Sequence, residues 1–341
     1  MMTGLLVVFA LMAALAAAAA TSWLLNLVLE ARYPPRGIFI TVDGVRLHVV
    51  NLAAANPSET ALPAVLLLHG ANLCLDDMRT ALGDRLARRL RVIIPDRPGQ
   101  GFSATGPGDI SSPAYQVELI RGLAQSLETG PLIVVGHSFG GLIALRYALD
   151  DPEAVSGLVL INPTSHPRPG GLPWFQRVAE VLIGPLMTYT LLAPLSLAMI
   201  GRLTARIFRP ETPPPGYPER SRLGLALMPG RFAASLREYS GLRDQLIAHV
   251  PRYSAISVPT TIVAGEADPV VPPAIHAEAL AAALPRARLL RLAGAGHMAH
   301  HAHAEAIAAE VERLAGCQDL SLDRPLTRLS DGKTPEISPN G

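Results

Sequence analysis

The apolar run at residues 132–135 ends on Gly136-His137-Ser138-Phe139-Gly140, after which Leu142, Leu145 and Leu149 recur at helical spacing. A buried strand that turns at once into a helix leaves few folds open. A serine stands at the turn with a glycine two residues to either side, where a Cβ would meet the neighbouring elements. Such a turn raises one hydroxyl beyond the strand end, beside helix N–H groups that favour developing negative charge. The plain alternative is a serine that only caps the helix; the strand–turn–helix setting favours a nucleophile. A nucleophile needs partners, so the rest of the chain decides.

Further short apolar strands are expected at residues 64–70, 91–96, 157–162, 260–265 and 287–292, and helical runs at 78–89, 113–127, 273–284 and 303–314. Residues 38–50 read as a hairpin around Asp43-Gly44. Continuously apolar strands alternating with helices define an α/β class: a mainly parallel sheet with helices on both faces. Residues 38–162 and 256–316 supply this core. Residues 163–255 interrupt it with many prolines and no clear strand, and read as a helical lid. Within the lid, residues 178–201 are apolar enough for a second membrane span, but Glu180, Gly184, Pro185 and Pro194 favour broken helices. The tail, 317–341, loses periodicity and reads as disordered.

No charged side chain occurs among residues 1–29, and residues 5–29 would reach roughly 37 Å as a helix at ~1.5 Å per residue. Three readings compete. A cleaved signal peptide fits Ala18-x-Ala20 but lacks a basic start and has an overlong core. A buried helix would show a polar face, and little of one is visible. An uncleaved transmembrane anchor fits the length, with Trp23 near one interface and a linker at 30–37 containing Pro34-Pro35. Arg32 and Arg36 point the following domain toward the cytoplasm, against nearby Glu30; cleavage near residue 20 would place it outside. The expected location is a bacterial-type inner membrane.

Hydrophobic residues make up 49% of the 341 and charged ones 17%, which excludes a disordered chain. A net charge of +1 with no basic cluster gives no reason to expect nucleic acid. Cys74 and Cys317 match no metal-ligand spacing.

A serine nucleophile requires a base, and the base a carboxylate that fixes its tautomer. His297 follows the strand ending at Leu292, and Asp268 follows the strand ending at Ala264, so both fall at carboxyl ends of strands. The other position open to an acid, after the strand at 157–160, holds Asn162, which carries no charge. Each has a plain reading: Asp268-Pro269 opens a turn, and His297 is a loop histidine or joins His300, His301 and His303 around a metal. The metal reading lacks a matching carboxylate or cysteine pattern, and the three extra histidines read as a partly solvated helix start. An oxyanion would find the N–H groups of Phe139 and Ala71, with Gly70 permitting close approach. Asn72 is placed to lend its side-chain amide to substrate. His69 reads as a support of that loop. His137 reads as packed beneath the turn and pointing away, with substrate contact as its second possibility. The chemistry calls for no cofactor and no metal.

The segments LLLHGAN, VIIPDRPGQGFS, VVGHSFGG, VAGEADPVVP and LAGAGHMAHH resemble those of the α/β-hydrolase fold superfamily, of the single-domain type with a helical lid. The resemblance covers about residues 39–314. It implies Ser138 as nucleophile, His297 as base and Asp268 as orienting acid, and a structured loop at 96–103. Gln100 stands where relatives often have histidine. A serine nucleophile argues against the haloalkane dehalogenase and epoxide hydrolase branches. The expected function is hydrolysis of a carboxylic ester or similar acyl bond in a small lipophilic molecule, with the membrane as the other partner. C–C bond hydrolysis, perhydrolysis and acyl transfer use the same triad. A hydrolase-like receptor with little turnover is the alternative from another class.

Overall fold

The computed structural model describes residues 2–56, 62–168 and 184–317. Residues 318–341 of the expected disordered tail, and Glu180 of the apolar lid segment, lie outside the described residues. A long first helix, α1 (Met2–Arg32), precedes eight strands: β1 (Ile38–Val42), β2 (Val45–Leu52), β3 (Val65–Leu68), β4 (Val92–Pro95), β5 (Leu132–His137), β6 (Val155–Ile161), β7 (Thr260–Gly265) and β8 (Ala287–Leu292). They form one sheet in the order β1-β2-β4-β3-β5-β6-β7-β8. β1 and β2 are the hairpin, closed by Asp43 and Gly44 at φ 47° and 78°, the left-handed pair a two-residue turn requires. β2 meets β4 antiparallel, and every pairing from β4 onward is parallel.

All residues of β3, β4, β5 and β7 are buried, which explains their mainly apolar sequences: a strand covered on both sides takes a polar residue only where a partner meets it, as at Thr261 and His137. β8, at the edge, spaces arginines among leucines. Helices α2 (Pro113–Ser126) and α3 (Phe139–Asp150) cover one face. Pro113 opens α2, where its fixed φ costs no hydrogen bond. The helical turns at 75–86 and the final helix (Ala304–Leu314) cover the other face. The pairs Leu68↔Gly136, His137↔Ile161, Ile161↔Val263 and Gly265↔Leu292 bring the carboxyl ends of five strands to one rim.

Between β6 and β7 the described lid is helical: Gly184–Met187, α4 (Ala193–Ala198), α5 (Ile200–Phe208), Tyr217–Arg220, Leu223–Ala226 and α6 (Pro229–His249). Phe208, Tyr217, Leu223 and Leu227 pack on Leu73 and Met298 of the core. The stretch considered for a second span is broken: Thr188–Ala198 and Ile200–Phe208 meet at a bend of 74°.

α1 continues past residue 29 to Arg32 before Pro34-Pro35 stop it. It is long and apolar enough to cross a membrane, and Ser22 is its only buried residue, so it is no core helix. Its last turns do carry a polar stripe, Ser22, Asn26 and Glu30, at every fourth residue. The stripe faces the lid. Ser22 Oγ donates to the Thr190 carbonyl at 2.6 Å, and Arg231 of α6 donates to Asn26 Oδ1 at 2.8 Å and to Glu30 at 2.7 Å.

Candidate active site

Ser138 joins β5 to α3 with φ 53° and ψ −115°. A side chain held there costs about 1–3 kcal/mol, which the surrounding bonds must overcome. The Ser138 N–H donates to the Ile161 carbonyl, and its own carbonyl accepts from Gly141 and Thr164, each at 3.0 Å. A Cβ on Gly136 would strike the Gly140 backbone, and one on Gly140 would strike the Leu68 carbonyl. Both glycines are therefore required by contact. Ser138 itself is partly exposed between buried His137 and Phe139.

On the same rim, His297 Nδ1 lies 2.7 Å from Asp268 Oδ2. Because the carboxylate can only accept, Nδ1 carries the proton of this bond, and Nε2 is left as the ring's free position for proton exchange. The other oxygen of Asp268 accepts from the N–H groups of Val270 and Val271 at 2.7 and 2.9 Å. Asp268 thus opens its turn and holds the imidazole at once, so the two readings of Asp268-Pro269 describe one residue.

Two further side chains fix the histidine loop. Asn162, passed over in the sequence because it cannot replace an acid, donates Nδ2 to the carbonyls of Gly296 and His297 at 2.9 and 3.0 Å and accepts from the Gly265 N–H at 2.7 Å. It ties the ends of β6 and β7 to the loop after β8. His137 Nε2 donates to the His297 carbonyl at 3.0 Å, with its ring 4.8 Å from that of His297. Burial, with His300 and His297 beside it, keeps the His137 pKa well below its usual value, so the ring is neutral. Of its two expected positions His137 occupies the inward one, which corrects its place among the substrate contacts.

The loop after β3 lies directly against the serine: a Cβ on Gly70 would sit 3.3 Å from the Ser138 Cβ. Ala71 is in this loop, and Phe139 begins α3, where helix N–H groups have no acceptor of their own. His69 braces the loop, its Nδ1 bonding the Gly70 carbonyl at 2.8 Å while Nε2 accepts from the Arg97 N–H at 3.0 Å. Burial and the Arg97 charge lower its pKa to about 4. Arg97, fully buried, donates to the carbonyls of His69 and Gly70 at 2.9 and 3.2 Å and pairs with Glu238 of α6. Ser235, also on α6, accepts from the Asn72 N–H at 3.1 Å and from Gln100 at 3.0 Å. Gln100 therefore joins the 96–103 loop to the lid. The Asn72 Oδ1 is buried without a hydrogen-bond partner among the described residues.

His300 and His301 correct an expectation, while His303 stays partly exposed at the start of the last helix. His300 is fully buried and His301 nearly so, because both donate to Asp77, each at 2.8 Å, and the Tyr217 hydroxyl adds a third bond at 2.8 Å. Asp77 is the carboxylate that the metal reading lacked. Its oxygens and the two imidazoles lie within 4.8 Å of one another, which makes this the set with metal-ligand chemistry among the described residues. Here the three donors already satisfy the carboxylate. Burial opposes its ionisation, but the two imidazoles outweigh that and hold Asp77 well below the usual carboxylate range.

Comparison with known proteins agrees with this architecture. A family model described as the alpha/beta hydrolase fold matches residues 63–304. An uncharacterised protein of Mycobacterium tuberculosis is 30% identical over 79% of this chain and 77% of its own. The pimeloyl-[acyl-carrier protein] methyl ester esterase of Xanthomonas oryzae is 31% identical over 74% of this chain and 94% of its own. The crystal structure of a hydrolase from Pseudomonas aeruginosa covers 82% of this chain and 98% of that one, at 25% identity and a TM-score of 0.64. With the rim and these matches in agreement, the chain belongs to the α/β-hydrolase fold family.

Proposed function

We propose that the protein is a membrane-anchored serine hydrolase that cleaves a carboxylic ester, or a similar acyl bond, of a lipophilic molecule. The observation that carries this reading is the Asp268–His297 pair, on the same rim as a strained, partly exposed Ser138. Ser138 Oγ attacks the carbonyl carbon as its proton passes to His297 Nε2. The oxyanion is held by the N–H groups of Ala71 and Phe139. The imidazolium then gives its proton to the leaving alkoxide, and the alcohol departs from an acyl-Ser138. Water attacks the acyl carbon, its proton returns through His297 to Ser138, and the acid is released. Asp268 stabilises the imidazolium in both halves.

A lipophilic substrate is supported by the apolar lid and by α1, and ester chemistry by the Xanthomonas relative. A fluorophosphonate probe tests the nucleophile: it should label the wild type, fail on Ser138→Ala and largely fail on His297→Ala. Undiminished labelling of Ser138→Ala would overturn the assignment. A chain-length series of p-nitrophenyl esters tests the substrate class, and a preference for acetate would count against it.

A further inference from the structure

The lid segment that meets α1 is inside out. Thr188 and Thr190 are buried at 1% and 3%, while Leu186, Tyr189, Leu191 and Leu195 are between 46% and 53% exposed. Water-soluble surfaces bury leucine and expose threonine. The opposite arrangement suits an apolar solvent, in which small polar side chains turn inward and bond between helices. Ser22 of α1, fully buried, makes such a bond, donating to the Thr190 carbonyl at 2.6 Å, while the inward-turned Thr190 Oγ1 donates to the Leu186 carbonyl of its own segment at 2.6 Å.

The position of this segment along α1 names the solvent. The uncharged run 5–29 crosses the bilayer at ~1.5 Å per residue, so Ser22 lies roughly 10 Å short of its C-terminal end, within one leaflet. That is the level at which the lid docks. The 74° bend turns the chain away there, and the next helix, α5, carries exposed Arg202 and Arg206, with Arg209 just beyond, cations matched to lipid headgroups. Below that level, Asn26 and Glu30 are bound by Arg231, which fixes the lid to the anchor by polar contacts.

We infer that the lid face formed by Leu186, Tyr189, Leu191 and Leu195 is immersed in a leaflet of the bilayer that α1 spans. The lid then touches the phase that holds lipophilic esters. The inference rests on the reading of α1 as an anchor.

The full chain with Cys317→Ser, carrying one added cysteine labelled with an environment-sensitive nitrobenzoxadiazole dye, is reconstituted in phosphatidylcholine vesicles containing a doxyl-labelled lipid. Labels at Leu191→Cys and Leu195→Cys should be quenched by the doxyl lipid, as should one at Leu11→Cys in the anchor. A label at Gln125→Cys, at the opposite pole, should not. Quenching at residue 11 without quenching at 191 and 195 overturns the immersed lid and leaves the anchor intact. No quenching at residue 11 overturns the anchor reading itself. Lid labels that quench one another rather than respond to lipid would assign the face to a second copy and overturn the proposal. As a second measurement, the double variant Leu191→Asp/Leu195→Asp should hydrolyse a water-soluble acetate ester within about twofold of the parent, while hydrolysis of a long-chain ester carried in vesicles falls about tenfold or more. Equal losses on both esters would overturn the assignment.

Discussion

The imidazoles of His297, His300 and His301 come from one short stretch after β8, and each meets a buried aspartate at 2.7–2.8 Å. The two regions differ in what surrounds the carboxylate. Asp268 accepts from one imidazole and two backbone N–H groups, and its histidine keeps a free nitrogen on a rim shared with a partly exposed serine. Asp77 accepts from two imidazoles and a tyrosine, all enclosed between core and lid. A histidine–aspartate contact alone therefore indicates neither catalysis nor structure. The deciding feature is whether the far nitrogen faces a group that can react.

The largest expected contrast is kinetic. His297→Ala and Ser138→Ala should each lower kcat/KM by about 10⁴-fold or more with the fold retained. His300→Ala should leave kcat per folded molecule within about tenfold. An equal loss from His300→Ala in a fully folded protein would break the comparison. Stability should show the reverse order. Asp77→Ala strands two imidazoles and the Tyr217 hydroxyl, and should cost about 3–5 kcal/mol in denaturant unfolding.

The two regions were unequally legible in the sequence. Buried parallel strands need mainly apolar runs and end in marked turns, so β5, β7 and the loops carrying Ser138, Asp268 and His297 could be read locally. Asp77 reads as an ordinary acidic residue at a helix start, because its partners lie far along the chain and no local pattern links them. Glu238 sits in a charged helix and looks solvated until Arg97 is found beneath it. Asn162 reads in the sequence as a missing acid, whereas its amide bonds three backbone groups, a use of both ends of the side chain that spacing does not reveal. The Ser22, Asn26, Glu30 stripe was visible at four-residue spacing, but the apolar bulk of α1 hid it.

Acid should separate the effects further. The His69 pKa is lowered from 6.5 to about 4, so the unfolded chain takes up the proton first as pH falls. The stability this histidine allows is intact above pH 6.5 and declines from there to about pH 4, by about 3 kcal/mol in all. His249 and His276, also lowered to about 4, act in the same window. Asp77 has the depressed carboxyl, so its contribution is present above the ordinary carboxylate pKa and is lost only below it. Urea midpoints followed from about pH 7.5 down to about pH 2 should therefore fall in two stages, and Asp77→Asn should alter the lower one. The smallest effect belongs to Asn162→Ala, which should cost about 1–3 kcal/mol and lower kcat about tenfold with little change in KM. A KM effect of that size with kcat intact would move Asn162 from loop support to substrate contact.

The Arg97–Glu238 pair has a mechanical consequence. Swinging Pro229–His249 outward would carry Glu238 away and leave the Arg97 guanidinium, still bonded to Gln116 and to the carbonyls of His69 and Gly70, buried without its counter-charge. That long helix is therefore anchored to the core at its middle, and opening it carries the cost of a buried, uncompensated charge.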